Sequence, residues 1–168
     1  ACRMDDPVLF MEHKGLYRQG YAATDEPDSD YIIPFGKGRL VSNGNYLTLV
    51  TWGAMVQKSV EAVQELLLEE NIVEIIDLRT LNPIDFDILE VSINKTGKVL
   101  IVHEDNLTSG PGAEISAMIS ENFFEYLDGP IKRVAAKDSP IPFNWVIEEK
   151  ILPQTKDISN AIEELLEY

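Results

Sequence analysis

Four apolar, β-branched runs, Tyr46–Trp52, Ile72–Ile76, Val99–Val102 and Ile131–Ala135, are separated by stretches with helical periodicity. That alternation, at a spacing of roughly 25–30 residues, leaves few folds open. Strands joined through helices pair in parallel, by right-handed crossovers. After Gly53, the residues Val56, Val60, Val63 and Leu67 recur at helical spacing and predict one buried face, with Lys58, Glu61, Glu65 and Glu69 in solvent. A second helix is expected with Asn82 as N-cap, Pro83 at its first position and Asp85 in its first turn. Gly97 should end it in the left-handed conformation. A third helix runs from about Gly112 to Tyr126 and buries Ile115, Met118, Ile119, Phe123 and Tyr126. The last follows Pro153, with Thr155 as cap and Ile158, Ile162 and Leu165 inward.

The segment Gly38–Val50 has a different pattern. Arg39–Val41 and Tyr46–Val50 flank Ser42-Asn43-Gly44-Asn45, a turn sequence suited to a hairpin. The expected architecture is therefore α/β, a mostly parallel sheet with one antiparallel edge strand. Residues 7–12, PVLFME, read as a strand without a preceding partner, and there is no initiator Met. Both suggest a fragment of something longer. Residues 20–34, GYAATDEPDSDYIIP, are polar, acidic and proline-punctuated, the composition of a linker.

Fourteen basic residues against 29 acidic ones give a formal charge of −15. Such a chain repels nucleic acid; the charge is read first as keeping the protein in solution, and it would also suit a basic protein partner. The single cysteine, Cys2, excludes an internal disulfide, and with only His13 and His103 beside it a Cys/His zinc site is not expected. No apolar run approaches the ~20 residues that span a bilayer, so no membrane partner is expected. The opening ACRMDDP has neither the basic start nor the apolar stretch of a signal peptide. A cytoplasmic location, or the mitochondrial matrix in a eukaryote, is the expectation.

The sharpest candidate for chemistry is Lys98–Ile115, KVLIVHEDNLTSGPGAEI. It reads as a buried strand, a polar turn with His103, Glu104 and Asp105, then a Gly-Pro-Gly bend opening a helix. Ligands gather at the carboxyl ends of strands in parallel sheets, so His103 and Glu104 are candidates for a general acid/base pair. Against this, Thr108 and Ser109 carry no further triad signature, and a structural or interface role for His103 is favoured. Ser109-Gly110-Pro111-Gly112 could present free N–H groups to an anion, but no basic residue is close in sequence, so a tight turn is preferred. Thr51-Trp52-Gly53-Ala54 offers one glycine where a dinucleotide fingerprint needs three, and Gly36-Lys37-Gly38 precedes a strand rather than a helix. Lys14 and Arg18 could face an acidic neighbour, and Asp77 with Arg79 could brace the turn into Asn82-Pro83. Glu121, Glu125 and Asp128 gather near a helix carboxyl end, where negative charge is unfavourable; a solvated face is the favoured reading and a basic partner the alternative.

Ordered pieces of the chain resemble the beta subunit of thiamine-diphosphate-dependent 2-oxo acid dehydrogenases, the decarboxylating component. They are PVLFMEHKGLYR (7–18), IPFGKGRLV (33–41), LTLVTWGAMV (47–56) and EIIDLRTLNPID (74–85), then KTGKVLIVHED (95–105), GAEISAMI (112–119) and GPIKRVAAKDSPIPF (129–143). The resemblance covers essentially the whole chain. It implies a three-layer, five-stranded transketolase carboxyl-terminal domain over residues 35–168, preceded by a linker (20–34) and the tail of a pyrimidine-binding domain (1–19). HEDNLTSG and EHKGLYR lean toward a branched-chain substrate, 2-oxoisovalerate, with pyruvate and acetoin enzymes as alternatives. The family's whole enzyme uses thiamine diphosphate and magnesium, yet the residues that hold them lie outside this stretch, so none is expected to bind here. Implied partners are the alpha subunit or alpha region, a second beta copy, and the basic peripheral-subunit-binding domain of the dihydrolipoyl acyltransferase. Carried over by position, Glu121, with Glu125 beside it, and Tyr168 are the candidates for that last contact. A reading of another class, a free-standing small α/β enzyme using His103 and Glu104, stays open at this point.

Overall fold

The computed structural model describes residues 1–67 and 71–168, so the expected exposure of Glu69 lies outside the described residues. The chain divides into two units, residues 1–33 and 34–168. The first holds two short 3-10 turns, Lys14–Arg18 and Gly20–Ala22, and buries no residue of either. The expected strand at Val8–Met11 does not form, and Leu9, Phe10 and Met11 stand exposed. An extended segment becomes a strand only when a neighbour takes up its backbone groups.

The second unit carries β1 (Arg39–Ser42), β2 (Leu47–Thr51), α1 (Met55–Glu65), β3 (Val73–Asp77), α2 (Phe86–Thr96) and β4 (Val99–Asn106). It continues through α3 (Pro111–Phe123), a 3-10 turn Phe124–Tyr126, β5 (Lys132–Ala136), α4 (Trp145–Ile151) and α5 (Thr155–Leu166). The sheet order is β1-β3-β2-β4-β5, parallel except for β1. Alternation along the strands feeds two cores. Leu47, Leu49, Val73, Ile75, Leu100 and Val102 pack with α1 and α5, whereas Val50, Ile76, Val99 and Ile101 pack with α2 and α3. The result is the expected three-layer sandwich, held mainly by apolar burial at about 1.5–3 kcal/mol per large aliphatic side chain.

The antiparallel edge strand is there, but the hairpin is not. β1 pairs with β3 rather than β2. The Asn43–Tyr46 turn arches over the start of β3, with Asn45 N–H donating to Asn71 O (2.9 Å) and Tyr46 N–H to Ile72 O (3.0 Å). Gly44 makes that arch possible, since a Cβ on it would fall 2.0 Å from the Glu74 backbone nitrogen. Its N–H donates to the Glu74 carboxylate, which also pairs with Lys95.

Helix boundaries differ from expectation where side chains have other work. α2 begins at Phe86, not Pro83, and Asp85 becomes its N-cap residue. The Asp85 carboxylate accepts from Gly38 N–H (2.9 Å) and Lys37 Nζ (3.3 Å), tying the helix start to β1. Gly97 ends α2 at φ +67°, as expected. On α1 the buried positions are Met55, Ser59 and Ala62, flanked by half-buried Val60 and Val63. Leu67 lies beyond the helix at φ 47° and is 90% exposed. Small residues win the inner face because α5 crosses there closely, its Ser159 hydroxyl reaching Ala62 O at 3.4 Å. Lys58 is half-buried rather than solvated, donating to Pro153 O at 2.8 Å. α5 is capped by Gln154, one residue before Thr155, through a reciprocal box with Asp157.

Candidate functional site

β4 carries His103 to the carboxyl end of the sheet and buries it completely. The imidazole stacks on Trp52, the residue after β2, with ring centroids 5.3 Å apart and planes 6° from parallel. Its other side abuts the first turn of α3. A Cβ on Gly112 would come within 2.2 Å of His103 Nε2, so only glycine lets the helix start this close to the ring. Among the described residues neither ring nitrogen has a hydrogen-bond partner. Burial lowers the His103 pKa, Asp105 opposes that by attraction, and Arg133 adds a smaller lowering by repulsion. The ring is therefore neutral at pH 7.

Glu104 follows His103 on the strand and so points to the opposite face. It is half-buried, and no hydrogen bond joins the two side chains. The structure does not assemble them into an acid/base pair. Thr108 is engaged elsewhere. Its hydroxyl and N–H donate to the Asp138 carboxylate at 2.6 and 2.9 Å, which holds the Asp138 pKa below the usual carboxylate value. Ser109 is exposed at φ 60°. The Gly-Pro-Gly bend is filled by the His103 ring rather than left open for an anion.

A sequence model of the family described as "Transketolase, C-terminal domain" matches residues 36–158. The chain belongs to this family. Curated relatives agree in kind. The "Pyruvate dehydrogenase E1 component subunit beta" of Staphylococcus epidermidis is 41% identical over all 168 residues, and that of Staphylococcus aureus is 40% identical. The chain spans about half the length of these relatives, 51% in each case. A solved "Split gene transketolase, inactive beta4 tetramer" superposes with a TM-score of 0.69 at 26% identity, covering 86% of this chain and 46% of that one. The transketolase-type fold expected from the sequence is thus present. The relatives' names are those of pyruvate enzymes and do not support the branched-chain expectation.

The other expected site residues sit at separate places on this transketolase carboxyl-terminal domain. Asp77 and Arg79 do brace their turn, with Arg79 N–H donating to Asp77 Oδ1 at 3.2 Å and Arg79 Nε 3.8 Å from Oδ2. Glu121 on α3 and Glu125 in the following 3-10 turn are exposed, with Phe124 75% exposed between them. Tyr168 is also 75% exposed, and its ring lies against Gly129. Sequence reasoning did not find Trp52 as the partner of His103. Its only trace is an aromatic residue directly after the β2 run, at the same level as the histidine after β4.

Thiamine diphosphate and its magnesium need a carboxylate or carbonyl set around the ion and free N–H groups around the phosphates. Among the described residues no group of three or more His, Cys, Asp or Glu side chains could hold a metal ion. The α3 start is occupied by His103. These donors do not fit the cofactor, and no step of its chemistry passes through them.

Proposed function

We propose that this chain is the carboxyl-terminal part of a pyruvate dehydrogenase beta subunit. In the whole enzyme a 2-oxo acid is decarboxylated on thiamine diphosphate with magnesium, and the acyl group passes to lipoyl-lysine of the acyltransferase. The observation that carries this reading is 41% identity along the full 168 residues to a pyruvate dehydrogenase beta subunit. Within that enzyme residues 35–168 serve assembly and docking, residues 20–34 link, and residues 1–19 belong to the preceding domain. The division at Ile33/Pro34 supports that partition. Partners are the alpha subunit, a second beta copy and the acyltransferase's peripheral-subunit-binding domain. The "inactive beta4 tetramer" of the split-gene transketolase supports the idea that beta chains meet one another and need a further chain to act.

The docking contact for the basic domain is assigned to Glu121, Glu125 and Tyr168. All three are exposed, and the carboxylates add to a surface already rich in negative charge. Assembly of the full-length beta chain with its alpha chain, followed by turnover with pyruvate, 2-oxoisovalerate and acetoin, tests the substrate. Pyruvate should give the highest kcat/KM. A higher value with 2-oxoisovalerate restores the branched-chain alternative. Calorimetry on the 168-residue chain should show no tight magnesium-dependent thiamine diphosphate binding, and His103→Ala in the assembled enzyme should not abolish chemistry. Complete loss of turnover with normal assembly would instead favour catalysis at His103 and Glu104.

A further inference from the structure

An open groove of about 560 Å³ runs between the end of β5 and the α4–α5 junction. Its charge is opposite to that of the chain. Arg133, Lys137, Lys150 and Lys156 line it, against the carboxylates of Glu149 and Asp157. Asp157 is already engaged, accepting from Gln154 N–H at 2.9 Å in the α5 cap. None of the four cations forms an ion pair among the described residues. In a chain with 29 acidic and 14 basic residues, a groove with this balance is unexpected by composition. Its floor is apolar, with Ile151 and Leu152 half-buried in it.

The adjoining segment adds apolar surface. α4 buries none of its residues, and Phe143, Trp145, Val146 and Ile147 are all exposed. Trp145 precedes the groove residue Glu149 by one helical turn and shares its face of α4. An exposed aromatic beside unpaired cations is the composition of a protein-binding patch, where Trp and Arg concentrate the binding energy.

We propose that this groove is a docking surface for an acidic, apolar-anchored peptide segment of a partner protein. The carboxylates of the segment meet Lys137, Lys150 and Lys156, while an apolar side chain lies along Ile151 and Leu152 toward Trp145. The net −15 charge does not forbid this. At physiological salt, charges beyond about 8 Å are largely screened, so the cations in contact decide the local attraction. This surface differs from the acidic patch at Glu121 and Glu125 in the sign of its partner.

The test uses fluorescence anisotropy with a fluorescein-labelled decapeptide of alternating glutamate and leucine, added to the 168-residue chain. Binding is expected, with at least about tenfold weakening when Lys137, Lys150 and Lys156 are all changed to Glu. Trp145→Ala should weaken it independently of salt. Changing Lys14 and Arg18, exposed cations of the first unit, to Glu should leave binding unchanged. Absence of peptide binding overturns the proposal, as does equal weakening in the Lys14/Arg18 control. A change in sedimentation of the triple variant also overturns it, because a second copy of the chain would then be the occupant. The three lysines are exposed, and unchanged circular dichroism verifies that the variant folds.

Discussion

The close approach of His103 to α3 makes a quantitative prediction about Gly112. In Gly112→Ala the new methyl carbon would lie 2.2 Å from Nε2 and 2.4 Å from Cδ2 of the imidazole. Ordinary carbon contacts sit at about 3.5–4.0 Å, so the ring or the helix must move by more than about 1 Å. Any ring movement also disturbs the stack with Trp52, whose centroid lies 5.3 Å away. Overpacking of this kind costs about 1–3 kcal/mol. Replacing glycine by alanine in a helix returns at most about 1 kcal/mol, and less in the first turn. The net expectation is a loss of about 1–2 kcal/mol, or roughly 2–8 °C in Tm for a chain of this size. Thermal and urea unfolding followed by far-ultraviolet circular dichroism measure it. The decisive arm is the double variant with His103→Ala, which opens the space. Its stability should exceed the sum of the single effects by about 1 kcal/mol or more. Additivity of the two changes, or a neutral Gly112→Ala, refutes the packing argument.

The same histidine sets a pH response. Burial places its folded pKa below the unfolded value of about 6.5, so the unfolded chain binds the proton first. Stability should be fully present above pH 6.5 and fall as pH drops through the folded pKa, and His103→Asn should flatten that part of the curve. In the polar cluster between β2 and α2, the Thr48 hydroxyl contacts those of Ser92 (2.6 Å) and Thr96 (2.7 Å). Thr48→Val leaves both short of a partner and should cost about 1–3 kcal/mol in urea unfolding. Lys95→Met strands the buried Glu74 carboxylate beneath the Gly44 arch, with an expected loss of about 3 kcal/mol, part of it recovered by adding Glu74→Gln. Asp157→Ala removes half of the α5 capping box and should lower stability by about 1 kcal/mol in the same assay.

Strand identity and the two-sided core were legible because strands buried on both faces read as short continuous apolar runs, as Leu47–Thr51 and Val99–Val102 do. Strand order at the edge was not. The sequence Ser42-Asn43-Gly44-Asn45 specifies a turn, but whether a neighbour fits between its arms depends on β3, some thirty residues away. The inner face of α1 was misplaced by one position for a similar reason. Valines mark hydrophobicity, yet the face nearest α5 needs the small side chains Ser59 and Ala62. α4 had no amphipathic signal to read, since it buries nothing in its own domain. The groove it helps form was equally hidden, because Arg133, Lys137, Lys150 and Lys156 come together only through the packing of β5, α4 and α5.

His103 shows how position and environment separate. Its place at a strand's carboxyl end follows from the sequence and from β-strand periodicity, and that place alone suggested chemistry. Its environment comes from two other elements: the indole after β2 and the glycine at the second position of α3. The imidazole is fully buried, and among the described residues neither ring nitrogen has a hydrogen-bond partner. A histidine that trades protons with a substrate is commonly held by a hydrogen-bonded orienting group, and among the described residues this imidazole has none. What it does possess is shape: a flat ring wedged between β2 and α3 at the end of the sheet. The ring lies where a side chain at Gly112 would go, so His103 and the start of α3 are packed against each other at the end of the sheet.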